Sequence, residues 1–265
     1  SIFIRLIVIF FLRLDQLLTI NDMVINKILK VILVLLSVAY IIFRIQTKDF
    51  LGDIISTSLL VLLTGLYYFG KNEKQPLFLY FLIAFSLSDI LNLSAYFFLD
   101  SIEYLDLTYY LGNSLCMLSY IFLIILCSKT MSFKKILKQF SVTVLILTIL
   151  GIFCVTLITE TAQMSLTTPE YITEFLYNTI IMVLLSVSLI NYMDKEDNKA
   201  MLFFVGSMLL FFSEMVQLAY FYIKEMTHLV AIYSIFLVLA FGFFYHQSQL
   251  KHTSDIKLNR HELEF

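Results

Sequence analysis

The chain has 265 residues, of which 60% are hydrophobic and 14% charged, and its mean hydropathy is +0.89. Soluble domains are about one quarter charged, so this composition excludes an ordinary water-soluble fold and indicates a membrane protein. The net charge of −2 argues against a strongly basic protein that binds nucleic acid.

The N-terminal stretch is apolar but makes a poor membrane span. Arg5, Arg13 and Asp15 interrupt it. We interpret residues 1–23 as an interfacial amphipathic segment whose arginines extend to the lipid headgroups. A signal-like segment and an additional span are the alternatives, and the lack of a clear small-residue cleavage site disfavours a removed signal peptide.

Eight later segments are each long enough to cross a bilayer, which takes about 20 mostly apolar residues. The chain has two prolines, and neither lies inside one of these segments. We therefore predict an all-α polytopic transmembrane helical bundle over residues 24–247, followed by a charged cytoplasmic tail at 248–265. The predicted spans are residues 27–46, 51–70, 77–99, 104–127, 139–159, 172–193, 200–222 and 227–247.

The charges of the short loops predict the direction of the spans, because lysine and arginine favour the cytoplasmic side. Bases occur after spans two, four and six and in the tail, whereas the loops after spans three and five contain only acids. Both termini are then predicted to face the cytoplasm, in the manner of a bacterial inner-membrane protein. The loop after span one decides little, because it mixes Arg44, Lys48, Asp49 and Asp53.

Two carboxylic acids lie deep within predicted spans, Asp89 in span three and Glu214 in span seven. Ionisable groups are costly in the bilayer and mark functional sites by default. With the predicted direction both lie roughly 12–15 Å below the outer surface, at 1.5 Å per residue, and no basic residue lies deep in a span to pair with them. Two carboxyls that share a proton supply one acid and one base, so we predict Asp89 and Glu214 as catalytic residues.

Further polar residues occur at a similar depth, and we predict that they line a substrate-binding cavity that opens outward. Asn92 and Gln217 each follow one of the carboxyls by one helical turn. The other members are Asn113, Tyr177, Asn178 and Tyr233. Two alternatives use the same residue types: a hydrogen-bonded network that holds the helices together, and a pathway for protons or cations.

No metal or other cofactor is predicted. Cys116, Cys127 and Cys154 show no CxxC spacing, so neither a zinc site nor a disulfide framework is indicated. His228 and His246 lie at opposite ends of the last span and are too far apart to share a metal ion.

The segments around the two carboxyls are similar to those of a known family. Residues 84–91 read AFSLSDIL and residues 209–214 read LLFFSE. Spans four and eight add Gly112, Ser119, Tyr120, Tyr245 and Gln247. With these motifs the chain resembles the YhhN/lysoplasmalogenase family of small eight-span membrane proteins. It departs from the family pattern at Ser88, Ser119 and Glu214, where glycine, histidine and aspartate are usual.

The resemblance implies a membrane enzyme that hydrolyses the vinyl ether bond of a lysolipid, giving a fatty aldehyde and a glycerophospho-alcohol. One carboxyl would act as the acid and the other would stabilise the cationic intermediate and orient water. The expected partner is therefore a membrane lipid or lysolipid. A non-catalytic subunit that binds other membrane proteins and a proton-coupled transporter are the other two hypotheses.

Overall fold

The computed structural model describes residues 28–46, 49–70, 74–98, 102–163, 166–223 and 226–250. The predicted interfacial segment at 1–23 and residues 251–265 of the predicted tail lie outside these ranges. Over the described residues the chain is almost entirely helical and contains no strand.

Eight of the helices are long and apolar enough to cross a bilayer, and they coincide with the eight predicted spans. The protein is therefore a polytopic helical bundle of the kind found in integral membrane proteins. The helices are α1 (Ile28–Ile45), α2 (Asp49–Phe69), α3 (Pro76–Ser94, followed by a 3-10 turn at Ala95–Phe97), α4 (Ile102–Ser128), α5 (Phe133–Gln139), α6 (Ser141–Ala162), α7 (Thr168–Lys195), α8 (Asn198–Tyr222) and α9 (Thr227–Ser248).

Local sequence signals fix several helix ends. Thr167 begins α7 with a capping box, in which its backbone N–H and its hydroxyl both donate to Glu170 at 2.7 Å. The same helix ends at Glu196, whose φ of 48° lies in the left-handed region. Asp197 then caps α8 by accepting a bond of 2.8 Å from the Ala200 backbone N–H. These signals produce the tight connection between α7 and α8.

The short helix α5 lies where the sequence analysis placed a lysine-rich loop. Ile136 is its buried anchor, and Lys135 forms an ion pair of 2.6 Å with Asp194 at the end of α7. A segment of this length is not stable as an isolated helix, so its packing against the bundle accounts for its structure.

The bundle has two chemically different ends. The described lysines all lie at the end where α2 leads into α3, α4 into α6, and α7 into α8, which we call the lysine end. The opposite end carries the first turns of α2, α4 and α7 with their carboxylates, and we call it the acidic end.

Helices α3 and α4 form one closely packed pair and α8 and α9 another, with α7 joining α4 to α8. Helix α6 packs mainly against α7 on the outside of the bundle, and most of its apolar side chains are exposed, as are those of α1. Such faces are suited to lipid acyl chains, because a membrane-spanning helix needs no polar surface there.

Candidate functional site

Asp89 lies on the inward face of α3, one turn toward the acidic end from the buried Phe85. The hydroxyl of Ser56, on α2, donates a hydrogen bond of 2.9 Å to Asp89 Oδ2. The Asp89 side chain is half-buried, so its carboxyl is held by a neighbouring helix while part of its surface stays accessible.

Glu214 lies on the inward face of α8, one turn beyond the fully buried Leu210. The phenol of Tyr120, on α4, donates a hydrogen bond of 2.6 Å to Glu214 Oε1. The Tyr177 hydroxyl of α7 lies 3.2 Å from the Tyr120 hydroxyl and 3.3 Å from Cys116 Sγ. Groups from two neighbouring helices, α4 and α7, therefore converge around this half-buried carboxyl.

A layer of buried aromatic rings separates both carboxyls from the lysine end. The Phe85 ring lies 4.9 Å from Phe241 and 6.1 Å from Tyr120, between ring centroids. Phe81 stacks on Phe241 at 5.5 Å and contacts Phe244 edge-on at 5.8 Å. We call these five residues the aromatic floor, because it closes the site toward the lysine end.

The two carboxyls lie on the same side of the aromatic floor and at similar positions along their helices. Asp89 precedes Phe97, where its helical stretch ends, by about two turns, and Glu214 precedes Tyr222, the end of α8, by the same number of residues. No hydrogen bond joins them. Each carboxyl has its own hydroxyl partner instead.

A basic residue lies near the end of α1, not deep in a span, and its ion-pair partners are acids other than Asp89. Arg44 lies in α1, where its guanidinium forms ion pairs with Asp53 and, at 3.3 Å, with Asp49. The Tyr96 hydroxyl donates a bond of 2.7 Å to Asp53 Oδ2. The Arg44–Asp53 ion pair lies near enough to Asp89 for both of its charges to act on that carboxyl.

A second polar cluster, centred on the Glu174 carboxylate, lies near Glu214 at the acidic end. The Tyr109 hydroxyl of α4 donates a bond of 3.2 Å to Glu174 Oε1 of α7. Tyr222, the last residue of α8, also interacts with Glu174 through its hydroxyl. Glu174 interacts electrostatically with Glu214, so each deep carboxyl has a second carboxyl nearer the acidic end.

Three of the predicted substrate-binding residues lie beside the carboxyls. Tyr177 belongs to the hydroxyl network of Glu214, and Gln217 follows Glu214 by one turn and is half-buried. Tyr233 is buried and interacts electrostatically with Arg44, while its backbone carbonyl accepts a bond from the Ser213 hydroxyl.

The three predicted asparagines make other contacts. Asn178 is buried and donates a hydrogen bond of 3.2 Å to Thr159 Oγ1, so it faces α6. It differs in this from the preceding Tyr177, because consecutive helical residues face different neighbours. Asn113 donates a hydrogen bond of 3.0 Å to the backbone carbonyl of Tyr109 in its own helix. Asn92 is exposed, and it packs its amide against the bare backbone of Gly112.

The described residues contain no group of three histidine, cysteine, aspartate or glutamate side chains arranged to hold a metal ion. The three cysteines are free thiols, and two of them, Cys116 and Cys127, are buried. The chemistry available at the site is therefore that of carboxyl, phenol, hydroxyl and thiol groups.

Several residues of the site are not among the predicted site residues, although Tyr120 belongs to the motifs of the family resemblance. Tyr120 and Ser56, which hold the two deep carboxyls, are among the many tyrosines and serines of the spans, and only a contact between helices distinguishes them. Arg44 and Glu174 are charged residues near span ends, which is where solvated loop residues also occur. Their part in the site becomes visible only from their contacts with other helices in the packed bundle.

No protein-family model matches the chain, and no curated protein or solved structure is detectably similar to it. The geometry of the site is therefore the basis on which a function can be argued.

Proposed function

We propose that this protein is an integral membrane hydrolase that cleaves the vinyl ether bond of an amphiphilic lysolipid by acid–base catalysis. The observation that carries the proposal is the placement of Asp89 and Glu214. Both are half-buried on inward helix faces, on the same side of the aromatic floor, and each is held by one hydroxyl donor. The resemblance to the lysoplasmalogenase family supports the same chemistry.

The surroundings of the two carboxyls differ, which allows them to have different roles. Hydroxyl and thiol groups of Tyr120, Tyr177 and Cys116 surround Glu214. Asp89 instead accepts its hydrogen bond from Ser56 and lies near the Arg44–Asp53 ion pair. We assign the proton donor to Glu214, because groups with exchangeable protons adjoin it, and the anionic base to Asp89.

The reaction needs only these two groups and water. Glu214 gives its proton to the vinyl carbon that is not bonded to oxygen, and an oxocarbenium ion forms at the other carbon. Asp89 stabilises this cation and takes a proton from the water molecule that attacks it. In the resulting hemiacetal the bond from carbon to the glycerol oxygen breaks, Asp89 returns its proton to that oxygen, and the hemiacetal hydroxyl gives its proton to water, so that a fatty aldehyde is released.

An amphiphilic substrate fits the two faces of this site. The exposed leucine and isoleucine side chains of the surrounding helices offer apolar surface to the alkenyl chain. The polar clusters around Arg44 and Glu174 lie at the acidic end, where a lipid headgroup would be located. In the proposed orientation this end faces outward, because the described lysines lie at the other end.

One observation favours a second candidate, a structural role for the polar layer. The bonds from Ser56 to Asp89 and from Tyr120 to Glu214 each join two helices, as interhelical hydrogen bonds do in many membrane proteins. A non-catalytic subunit of a membrane assembly would need no more than this. The two candidates differ in whether changing a carboxyl removes turnover or removes folding.

The test is release of fatty aldehyde from a lysoplasmalogen by the purified protein in nanodiscs. We expect Asp89→Asn and Glu214→Gln each to lower the rate by about 10²-fold or more, the range of a general acid or base. Glu103→Gln makes the same chemical change at an exposed position of the acidic end and should keep wild-type activity. A lysolipid with an ester in place of the vinyl ether should not be cleaved.

Wild-type protein that releases no aldehyde would reject the proposal, and so would variants that are as active as the wild type. Size-exclusion profiles and thermal unfolding curves separate lost chemistry from lost folding. If Glu214→Gln does not fold, Glu214→Asp keeps the carboxyl and should fold with reduced turnover. A folding defect in every variant, together with no turnover by the wild type, would favour the structural candidate.

A further inference from the structure

A stripe of polar side chains runs along one face of α4 from the acidic end inward. Tyr109, Asn113, Cys116 and Tyr120 recur at intervals of three and four residues, the spacing of one helix face. The stripe is about 16 Å long at 1.5 Å per residue. It therefore extends from the first turns of α4 to the level of the aromatic floor.

Helix α7 presents a matching stripe to α4. Glu174 and Tyr177 are one turn apart on one face, and each contacts the α4 stripe. The Tyr109 hydroxyl donates to Glu174 over 3.2 Å, and the Tyr177 hydroxyl lies 3.2 Å from that of Tyr120. The two helices therefore enclose a line of groups that each carry an exchangeable proton.

The inner end of this line is Glu214. Tyr120 donates to its Oε1 over 2.6 Å, and Tyr177 interacts with the same carboxyl. The outer end is the half-buried Glu174, whose other neighbour, Tyr222, is the last residue of α8. Phenol groups therefore flank both a carboxyl at the rim and a carboxyl in the interior, and one helical turn separates Glu174 from Tyr177.

We propose that Glu174, Tyr177 and Tyr120, assisted by Tyr109, form a path that conducts protons from the acidic end to Glu214. A proton enters at Glu174 from water. Tyr177 takes a proton from Glu174 through a water molecule between them and passes its own proton to Tyr120, and Tyr120 passes its proton to Glu214. Every hydroxyl ends the cycle as it began, and the net change is one proton moved from water to Glu214.

The path deepens the proposed function and rests on it for its purpose, since a general acid that has protonated its substrate must be reprotonated. The existence of the path can be tested without substrate and without measuring catalysis. Cys116 provides the probe, because its thiol contacts the Tyr177 hydroxyl at 3.3 Å and so lies on the path.

The other cluster at the acidic end is a less suitable entry for protons. There Asp53 is already paired with the Arg44 guanidinium, and a fixed positive charge repels an arriving proton. Asp53→Asn is therefore a matched control, because it removes a carboxyl from the same end of the bundle by the same chemical change as Glu174→Gln. Cys127 is an internal reference, as its thiol bonds to the backbone carbonyl of Val187 away from the path.

The experiment measures exchange of thiol protons for deuterium by the S–H stretching band in the infrared, after transfer of the protein in nanodiscs to D₂O. Cys116→Ser and Cys127→Ser identify the two bands. We expect Cys116 to exchange at least about tenfold faster than Cys127, and Glu174→Gln to bring the Cys116 rate close to that of Cys127. Asp53→Asn should leave the Cys116 rate unchanged.

The path is rejected if Cys116 exchanges no faster than Cys127 in the wild type. It is equally rejected if Glu174→Gln and Asp53→Asn change the Cys116 rate alike. If Glu174→Gln is poorly folded, Tyr177→Phe keeps the aromatic ring, removes the hydroxyl and should slow Cys116 exchange in the same way. Failure of this test leaves the aldehyde assay unaffected, and an inactive enzyme can still show the exchange.

Discussion

Arg44 is the residue whose placement changes the picture of the site most. Its guanidinium pairs with Asp53 and Asp49, its alkyl stem packs against Gly52, and its charge acts on Asp89. Removing one member of a mostly buried ion pair leaves the other charge without its partner, which costs more than the pair itself contributes. Arg44 therefore stabilises α1 against α2.

We predict that Arg44→Met lowers the free energy of unfolding by about 1–3 kcal/mol, a value between those of exposed and fully buried pairs. Adding Asp53→Asn should recover part of this loss, since it removes the carboxylate left unpaired. Reversible unfolding in detergent measures both variants and the double variant. Losses that simply add would show that the two side chains do not act as a pair.

At the residue scale the sequence predicted the two deep carboxyls but not their partners. An acid within a span is conspicuous because charge there is rare. Ser56 and Tyr120 are not conspicuous, since serine and tyrosine are common in these spans and their roles depend on which helices meet. The depth of Asn178 in its span suggests a place in the cavity, but its hydrogen bond to Thr159 directs the side chain toward α6. Depth along a helix does not determine which neighbouring helix a side chain faces.

At the element scale, close contact between α8 and α9 depends on Gly206. A Cβ atom at Gly206 would lie 2.9 Å from the ring of Phe244, which is fully buried in the aromatic floor. Small residues allow helix backbones to approach in membranes, where packing replaces the hydrophobic effect between helices. The floor therefore requires a residue without a side chain at this position.

Gly206→Ala should lower the free energy of unfolding by about 1–3 kcal/mol, because the buried ring has no free volume to enter. Gly65→Ala is the matched control: no atom lies within 4 Å of its Cβ position, and it should be neutral or gain up to about 1 kcal/mol from helix propensity. Thermal unfolding in one detergent compares the two. Equal effects at both glycines would refute the packing argument.

The helices themselves were predictable because apolar length decides them, and each predicted span matches an observed helix. The short helix α5 was not, since seven residues with several lysines carry no such signal. Its structure depends on the burial of Ile136 and on the Lys135–Asp194 ion pair, which are contacts between elements distant in the sequence.

At the scale of the whole molecule, the distribution of charge predicts the orientation of the bundle in the membrane. The described lysines lie at one end, and Arg44, the one lysine or arginine that the described ranges place at the other, is paired with carboxylates. Cytoplasmic loops carry the excess of basic residues. We therefore predict that the lysine end is cytoplasmic.

Labelling with a maleimide that does not cross membranes tests this prediction. One exposed cysteine at a time is added to a Cys154→Ser background, in which the remaining Cys116 and Cys127 are buried. Thr167→Cys, exposed at the acidic end, should be labelled in intact cells. Ser132→Cys, exposed at the lysine end, should be labelled only after lysis. The reverse pattern would invert the bundle and move the proposed proton entry to the cytoplasmic side.

The Arg44–Asp53 ion pair also has a consequence for biosynthesis. In the predicted orientation the turn between α1 and α2 must be carried across the hydrocarbon layer while the chain is being inserted. Isolated charges make that crossing costly, and opposite charges in contact reduce the cost. Because one partner comes from each helix, the reduction is available only when α1 and α2 cross together, so these two helices are suited to enter the bilayer as a single helical hairpin.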